Sequence, residues 1–182
     1  MANSLTGNVW VVDTGSVILS KIPMDIAKIV FWPNAAADIF QLNSYARYSV
    51  ISGSRIDNVS ATIAATNTMT ATAGNPYSTD IDDGDVVEII ASNGNAANIG
   101  QFLCTADATS TIITCAGQLT NEGPIIYSLQ GYKARREFYM KCGGTGGTQV
   151  PIELDFNDSP RHVPALIMET LPASGVVIIY IA

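Results

Sequence analysis

Charge is what this chain has least of. Lysine, arginine, aspartate and glutamate make up 14% of its 182 residues, against about 25% in an average soluble protein. Basic residues are scarcer still, nine against sixteen acidic, for a net charge of −7. Nucleic-acid binders draw their affinity from cationic side chains that neutralise phosphates, so this balance argues against such a partner. Long apolar runs are missing too. The longest, Val176 to Ala182, has seven residues, and a helix needs about 20 to span a bilayer. No membrane partner is expected. The start, MANSLTGNVWVV, has neither a basic stretch nor a long apolar one and reads as no secretory signal. On that reading the sequon Asn58-Val59-Ser60 carries no weight.

Cysteine is nearly absent as well. Three cysteines cannot all pair among themselves. With a turn near Asp107–Ala108, Cys104 is expected to face Thr111 or Ile112 and not Cys115. A disulfide needs its Cα atoms within about 7 Å. All three are therefore expected to be reduced, which fits a cytosolic origin.

Helical periodicity is the last absence. No window sustains an apolar stripe at i, i+3, i+4, i+7. Ala61–Ala73 is rich in alanine, but its frequent threonines favour strand or extended chain. What remains is short β-branched runs broken by Gly, Asn, Asp and Pro. Strands are expected at Val9–Val12, Val17–Leu19, Ile26–Trp32, Asp38–Leu42 and Ser49–Ser52. Further strands are expected at Val86–Ile90, Gln101–Thr105, Thr111–Cys115 and Ile125–Leu129. The last group is Glu137–Lys141, Pro151–Leu154, Ala165–Glu169 and Val176–Ile181. Val176–Ile181 is apolar on both faces, as a strand covered on two sides would be.

Hydrophobic residues reach 47%, so a folded chain is expected and not a disordered one. A chain of this length buries roughly 70% of its unfolded surface and needs no metal or disulfide. Between Val59 and Leu129 there is no basic residue at all, with Arg55 and Lys133 bracketing the void. This marks a module spliced into a loop of an outer domain. The expected fold is all-β: an antiparallel, jelly-roll-like β-sandwich from residues 1–57 and 130–182, with an inserted small β-barrel-like module at 58–129.

The chemistry-bearing motifs are sparse. Asp80-Ile81-Asp82-Asp83-Gly84-Asp85 approaches a calcium loop, but Gly84, Asp85 and Ala91 stand where an oxygen ligand, a glycine and a bidentate glutamate belong. It reads as an Asp/Gly turn. Gly143–Gly147 lacks the Lys-Ser/Thr of a phosphate loop and reads as a connector. His162, the only histidine, sits between Pro160 and Pro164, with no G-x-S-x-G elbow in the chain. No catalytic, cofactor-binding or metal-binding residues are expected. Trp10 and Trp32 are expected to pack within sheets. Basic and aromatic side chains cluster at Lys133–Tyr139 and Tyr45–Tyr48. Arginine and tyrosine are enriched at protein interfaces. Tyr45, Tyr48, Tyr132, Arg135, Arg136 and Tyr139 are the residues expected to meet a partner.

The segment Gly84–Pro124 carries a resemblance. Gly84-Asp85-Val86, Asn98-Ile99-Gly100-Gln101-Phe102, Thr111-Ile112-Ile113-Thr114 and Asn121-Glu122 follow one another as in the β-module of tailed-bacteriophage virion proteins. Ile26–Trp32 and Gly175–Ile181 are similar to the opening and closing strands of small sandwich proteins that coat phage heads. The resemblance implies a non-enzymatic structural role, that of a capsid decoration or cement protein. It implies the major capsid protein as partner, self-association with a trimer favoured, and a place on the virion after synthesis in the bacterial cytoplasm. The polar stretch Met1–Asn8 would be an arm that orders on binding. The alternatives are a tail- or fibre-associated adhesin that contacts host glycans, and a small β-fold hydrolase using His162.

Overall fold

The computed structural model describes residues 3–65, 67–115, 117–142 and 150–182. The connector Gly143–Gly147 lies outside them. The chain is all-β. In order the strands are β1 Ser4–Thr6, β2 Val9–Val12, β3 Val17–Ser20, β4 Met24–Trp32, β5 Ile39–Val50, β6 Ile56–Ala64, β7 Thr68–Ala71 and β8 Val86–Ser92. Then come β9 Gly100–Leu103, β10 Ile112–Thr114, β11 Glu122–Lys141, β12 Ile152–Asp155, β13 Arg161–Val163, β14 Leu166–Thr170 and β15 Val176–Ile181. They form two antiparallel sheets. The six-stranded sheet runs β1-β2-β15-β4-β12, with β13 also on β4. The nine-stranded sheet runs β10-β7-β6-β11-β5-β14-β3, with β8 on β11 and β9 on β8.

Two compact units divide the chain: residues 1–44 with 135–182, and residues 45–134. The expected borders were 57/58 and 129/130. Both observed borders fall inside single long strands, β5 and β11. The charge void begins only after Arg55, so charge placed the first border late. It also split β11 into two strands. This strand runs for 20 residues, with register shifts between Glu122 and Ile125 and between Tyr127 and Leu129 where it meets β6.

The first unit is a sandwich. Inward-facing residues of the six-stranded sheet, among them Val12, Ile26, Ile29, Phe31, Val177 and Ile179, pack on Leu19, Phe40, Leu42, Phe138, Leu166 and Met168 of the other sheet, with a register shift on β4 between Ile26 and Lys28. Phe31 and Phe40 stack across the layers with ring centroids 5.4 Å apart. Burial of each such side chain stabilises by about 1.5–3 kcal/mol. Ser4–Thr6 of the expected arm are strand β1, paired with β2. His162, expected in a loop, lies in β13 opposite Asp25.

The second unit has its own core, built from Ile63, Met69, Ile81, Val87, Ile89, Cys104, Ile113, Tyr127 and Leu129 among others. Its strands follow one another as β9-β8-β11-β6-β7-β10. The expected barrel is not closed. Past the end of β9 its backbone meets that of β10, where the Thr105 N–H donates to the Thr114 carbonyl at 2.9 Å. Beside it the Gln118 amide stands in for a strand. Its oxygen accepts from the Leu103 N–H and its nitrogen donates to the Leu103 carbonyl, each at 2.9 Å. Elsewhere Gly131 permits a close approach: a Cβ there would lie 3.0 Å from the Ser54 Cβ. The buried Ser54 hydroxyl donates to the Ile51 carbonyl at 2.6 Å and accepts from the Gly131 N–H at 3.0 Å.

The expected facing of the cysteines is corrected by the same rung. With Thr105 on Thr114, Cys104 lies opposite Cys115. The reason is a longer irregular turn, closed by Thr109 N–H to the Ile112 carbonyl at 3.0 Å. All three cysteines are buried thiols.

Candidate partner-binding surfaces

Strand register assigns each side chain of the six-stranded sheet to a face. Val177, Ile179 and Phe31 point into the sandwich, so Val176, Ile178 and Tyr180 on β15 share the opposite face with Trp32, Val30 and Lys28 on β4. On the other side of β15, Val11 and Val9 of β2 lie beside Ile178 and Tyr180. Ser4 and Thr6 of β1 and Glu153 and Asp155 of β12 border the patch. The result is an outward face with a continuous apolar centre, in which Val30 is 5% exposed beneath its neighbours and Val176, Ile178 and Tyr180 are half-buried. Val9 and Val11 are exposed, and Trp32 is 48% exposed. Its charge is compensated: Lys28 reaches Glu153 at 2.8 Å, and that hydrogen bond raises the lysine pKa. Isolated exposed apolar residues are ordinary, whereas a contiguous patch marks an interaction surface. Trp32 was expected to pack within the sheet. Its place on this face is instead set by alternation from the buried Phe31. The sequence signal was the two-sided apolar pattern of Val176–Ile181.

The six residues expected to meet a partner separate into groups. Tyr45 and Tyr132 are buried, 3% and 7% exposed, with ring centroids 6.4 Å apart. The Tyr132 hydroxyl donates to Glu88 at 2.7 Å, and the Tyr45 hydroxyl donates to the Gln101 side-chain oxygen. The Gln101 amide nitrogen donates to Glu88 at 3.4 Å, and Arg47 stands 3.6 Å from the same carboxylate. Burial, and then the Glu88 charge, push Tyr45 up to about 12. Burial and the hydrogen bond to Glu88 do the same to Tyr132, also to about 12. Both hydroxyls therefore stay neutral donors at ordinary pH. Tyr48 lies outside this cluster, 87% exposed. In the sandwich unit Arg135 and Arg136 are exposed, and the Arg136 guanidinium lies 4.9 Å from the centroid of the exposed Tyr139 ring.

The Asp80–Asp85 turn holds an internal cation. The Lys133 ammonium contacts Asp82, lies 2.9 Å from Asp85 and donates to the Asp80 carbonyl at 3.3 Å. The buried Asp85 also accepts from the N–H groups of Asp82 and Ala134, each at 2.9 Å. His162 lies 2.8 Å from Asp25, and both are exposed on the strand pair β13–β4. Among the described residues no group of three or more His, Cys, Asp or Glu side chains could hold a metal ion. Among the same residues no helix is long and apolar enough to cross a membrane.

Compared with known proteins, the chain matches no family model, no curated protein and no solved structure. Its class is that of the fold itself: an all-β protein of two antiparallel sheets with one outward apolar sheet face.

Proposed function

We propose that the chain is a non-enzymatic structural protein of a phage particle, a decoration protein that braces the head lattice through the outer face of the six-stranded sheet. The observation that carries this reading is the face itself, with Val9, Val11, Trp32 and Ile178 turned outward. Strands of 3, 4, 6, 9 and 4 residues, at about 3.3 Å per residue and about 4.8 Å apart, give a footprint of about 400 Å². A standard interface takes about 800 Å² from each partner. One contact of this size is weak, and repetition over a lattice converts weak contacts into high occupancy. Arg135 and Arg136 add cationic contacts suited to an acidic partner surface.

The test is quantitative protein analysis of purified particles, heads and tails. High copy in heads and absence from tails is the expected result, and absence from particles overturns the proposal. Ile178→Asp is expected to abolish binding to expanded heads. The second reading, an adhesin of the tail or fibre, is favoured by the exposed Tyr48 ring, which could stack on a sugar. Low copy on tails together with glycan binding would establish it instead.

A further inference from the structure

Cys104 and Cys115 lie where the strand ring of residues 45–134 is open. Their backbones point away from each other. The Cys104 N–H donates to the Asp85 carbonyl at 2.8 Å, and its carbonyl accepts from Gly84 at 3.0 Å. The Cys115 N–H donates to the Asn67 carbonyl at 2.7 Å. The adjacent rung is the Thr105–Thr114 hydrogen bond. Cys104 and Cys115 thus form the non-hydrogen-bonded pair of an antiparallel rung, in which Cα atoms stand about 4.5 Å apart. A disulfide spans about 4.4–6.8 Å between Cα atoms. Both side chains enter the core, 0% and 2% exposed, and both are free thiols of that one core.

We propose that Cys104 and Cys115 are a disulfide-forming pair that covalently closes this seam when the protein meets a low-molecular-weight disulfide such as oxidised glutathione. One protein thiol loses its proton and its sulfur attacks glutathione disulfide. The glutathione S–S bond breaks, and the departing thiolate takes up a proton. The second protein sulfur, deprotonated in turn, attacks the mixed disulfide, forms the protein S–S bond and expels a second glutathione as thiol. Two electrons pass from the protein sulfurs to glutathione, and the two protons end on the two glutathione thiols. The hydrogen bond to Cys115, and then burial, hold the Cys104 thiol well above the ordinary thiol range. Attack is therefore slow in the closed state and awaits opening of the turn at 105–111. The proposal does not depend on the phage reading.

The full chain is equilibrated with oxidised glutathione in dilute urea, so that the seam opens, and is then returned to buffer. Thiols titrated after denaturation are expected to fall from three to one, with a peptide joining Cys104 to Cys115 and a Tm rise of about 5–10 °C. Cys142→Ser is expected to oxidise as the parent does, whereas Cys104→Ala and Cys115→Ala lose the Tm rise. The proposal is overturned if three thiols persist, if only mixed disulfides with glutathione form, or if the link runs through Cys142.

Discussion

Two regions of this molecule invert the usual placement of side chains, in opposite directions. The outer face of the six-stranded sheet leaves Val9, Val11 and Trp32 in water. The cluster of Tyr45, Gln101 and Tyr132 takes two hydroxyls and an amide out of it, onto the half-buried carboxylate of Glu88. In the first, the side chains of Val9, Val11 and Trp32 stay exposed among the described residues. In the second, polar groups have found partners inside the chain. In sequence the first shows as the uncharged runs Val9–Val12 and Val176–Ile181, the second as aromatics near charges. They differ in what removing a side chain should do: the open face should lose binding, the buried cluster stability.

The largest expected effect breaks the buried cluster by pH. Tyr45 and Tyr132 have folded pKa values raised to about 12, above the ordinary tyrosine value near 10. Their contribution is complete below that ordinary value and is lost as pH rises through it towards 12. Each shift of about two units sets an upper bound of roughly 2–3 kcal/mol, and solvent screening at the partly exposed Glu88 lowers it. Urea unfolding at steps between pH 9 and 12, with tyrosinate absorbance alongside, should show stability falling as the hydroxyls ionise. Flat stability across that range would show that the hydroxyls are not held as described.

Glu88→Ala comes next. It removes the acceptor of Tyr132 and leaves a buried hydroxyl unpaired, at a cost of about 1–3 kcal/mol, read as a lower urea midpoint. Tyr132→Phe in the Glu88→Ala background should then cost little more, and full additivity of the two would refute the coupling. On the open face, Ile178→Asp should change stability by less than about 1 kcal/mol, because the site is partly solvated. The neighbouring Ile179→Ala, in the core, should cost about 2–5 kcal/mol. If the two cost the same, the assignment of faces is wrong. The smallest effect is Trp32→Ala, within about 0.5 kcal/mol in urea unfolding. Tryptophan emission should nonetheless be blue-shifted when the parent chain binds its partner, and this shift should shrink in the variant.

The β-class of the fold was legible because β-branched runs and turn residues report it locally. Val176–Ile181 also announced a strand that is apolar on both sides. Three features were not legible, each for a physical reason. Tyr45 and Tyr132 were grouped with Tyr48, Arg136 and Tyr139, because burial depends on strands β8 and β9 supplying Glu88 and Gln101 from more than 40 residues away in sequence. The Cys104–Cys115 facing was missed because an irregular turn shifts register by whole residues, and composition does not count them. The continuity of β11 was hidden by its bulges and by the charge change along it, since hydrogen bonding is blind to charge.

The Gln118 brace at the open seam has a consequence for inheritance. Strand pairing is made by backbone atoms, which every amino acid except proline supplies in full, so a ladder survives most substitutions. The bonds from Gln118 to Leu103 belong to one side chain of one length. Asparagine, a methylene shorter, keeps the amide but not the reach. At this point of the ring a structural join is encoded by a single codon, and drift there would alter the module as drift along a true strand would not.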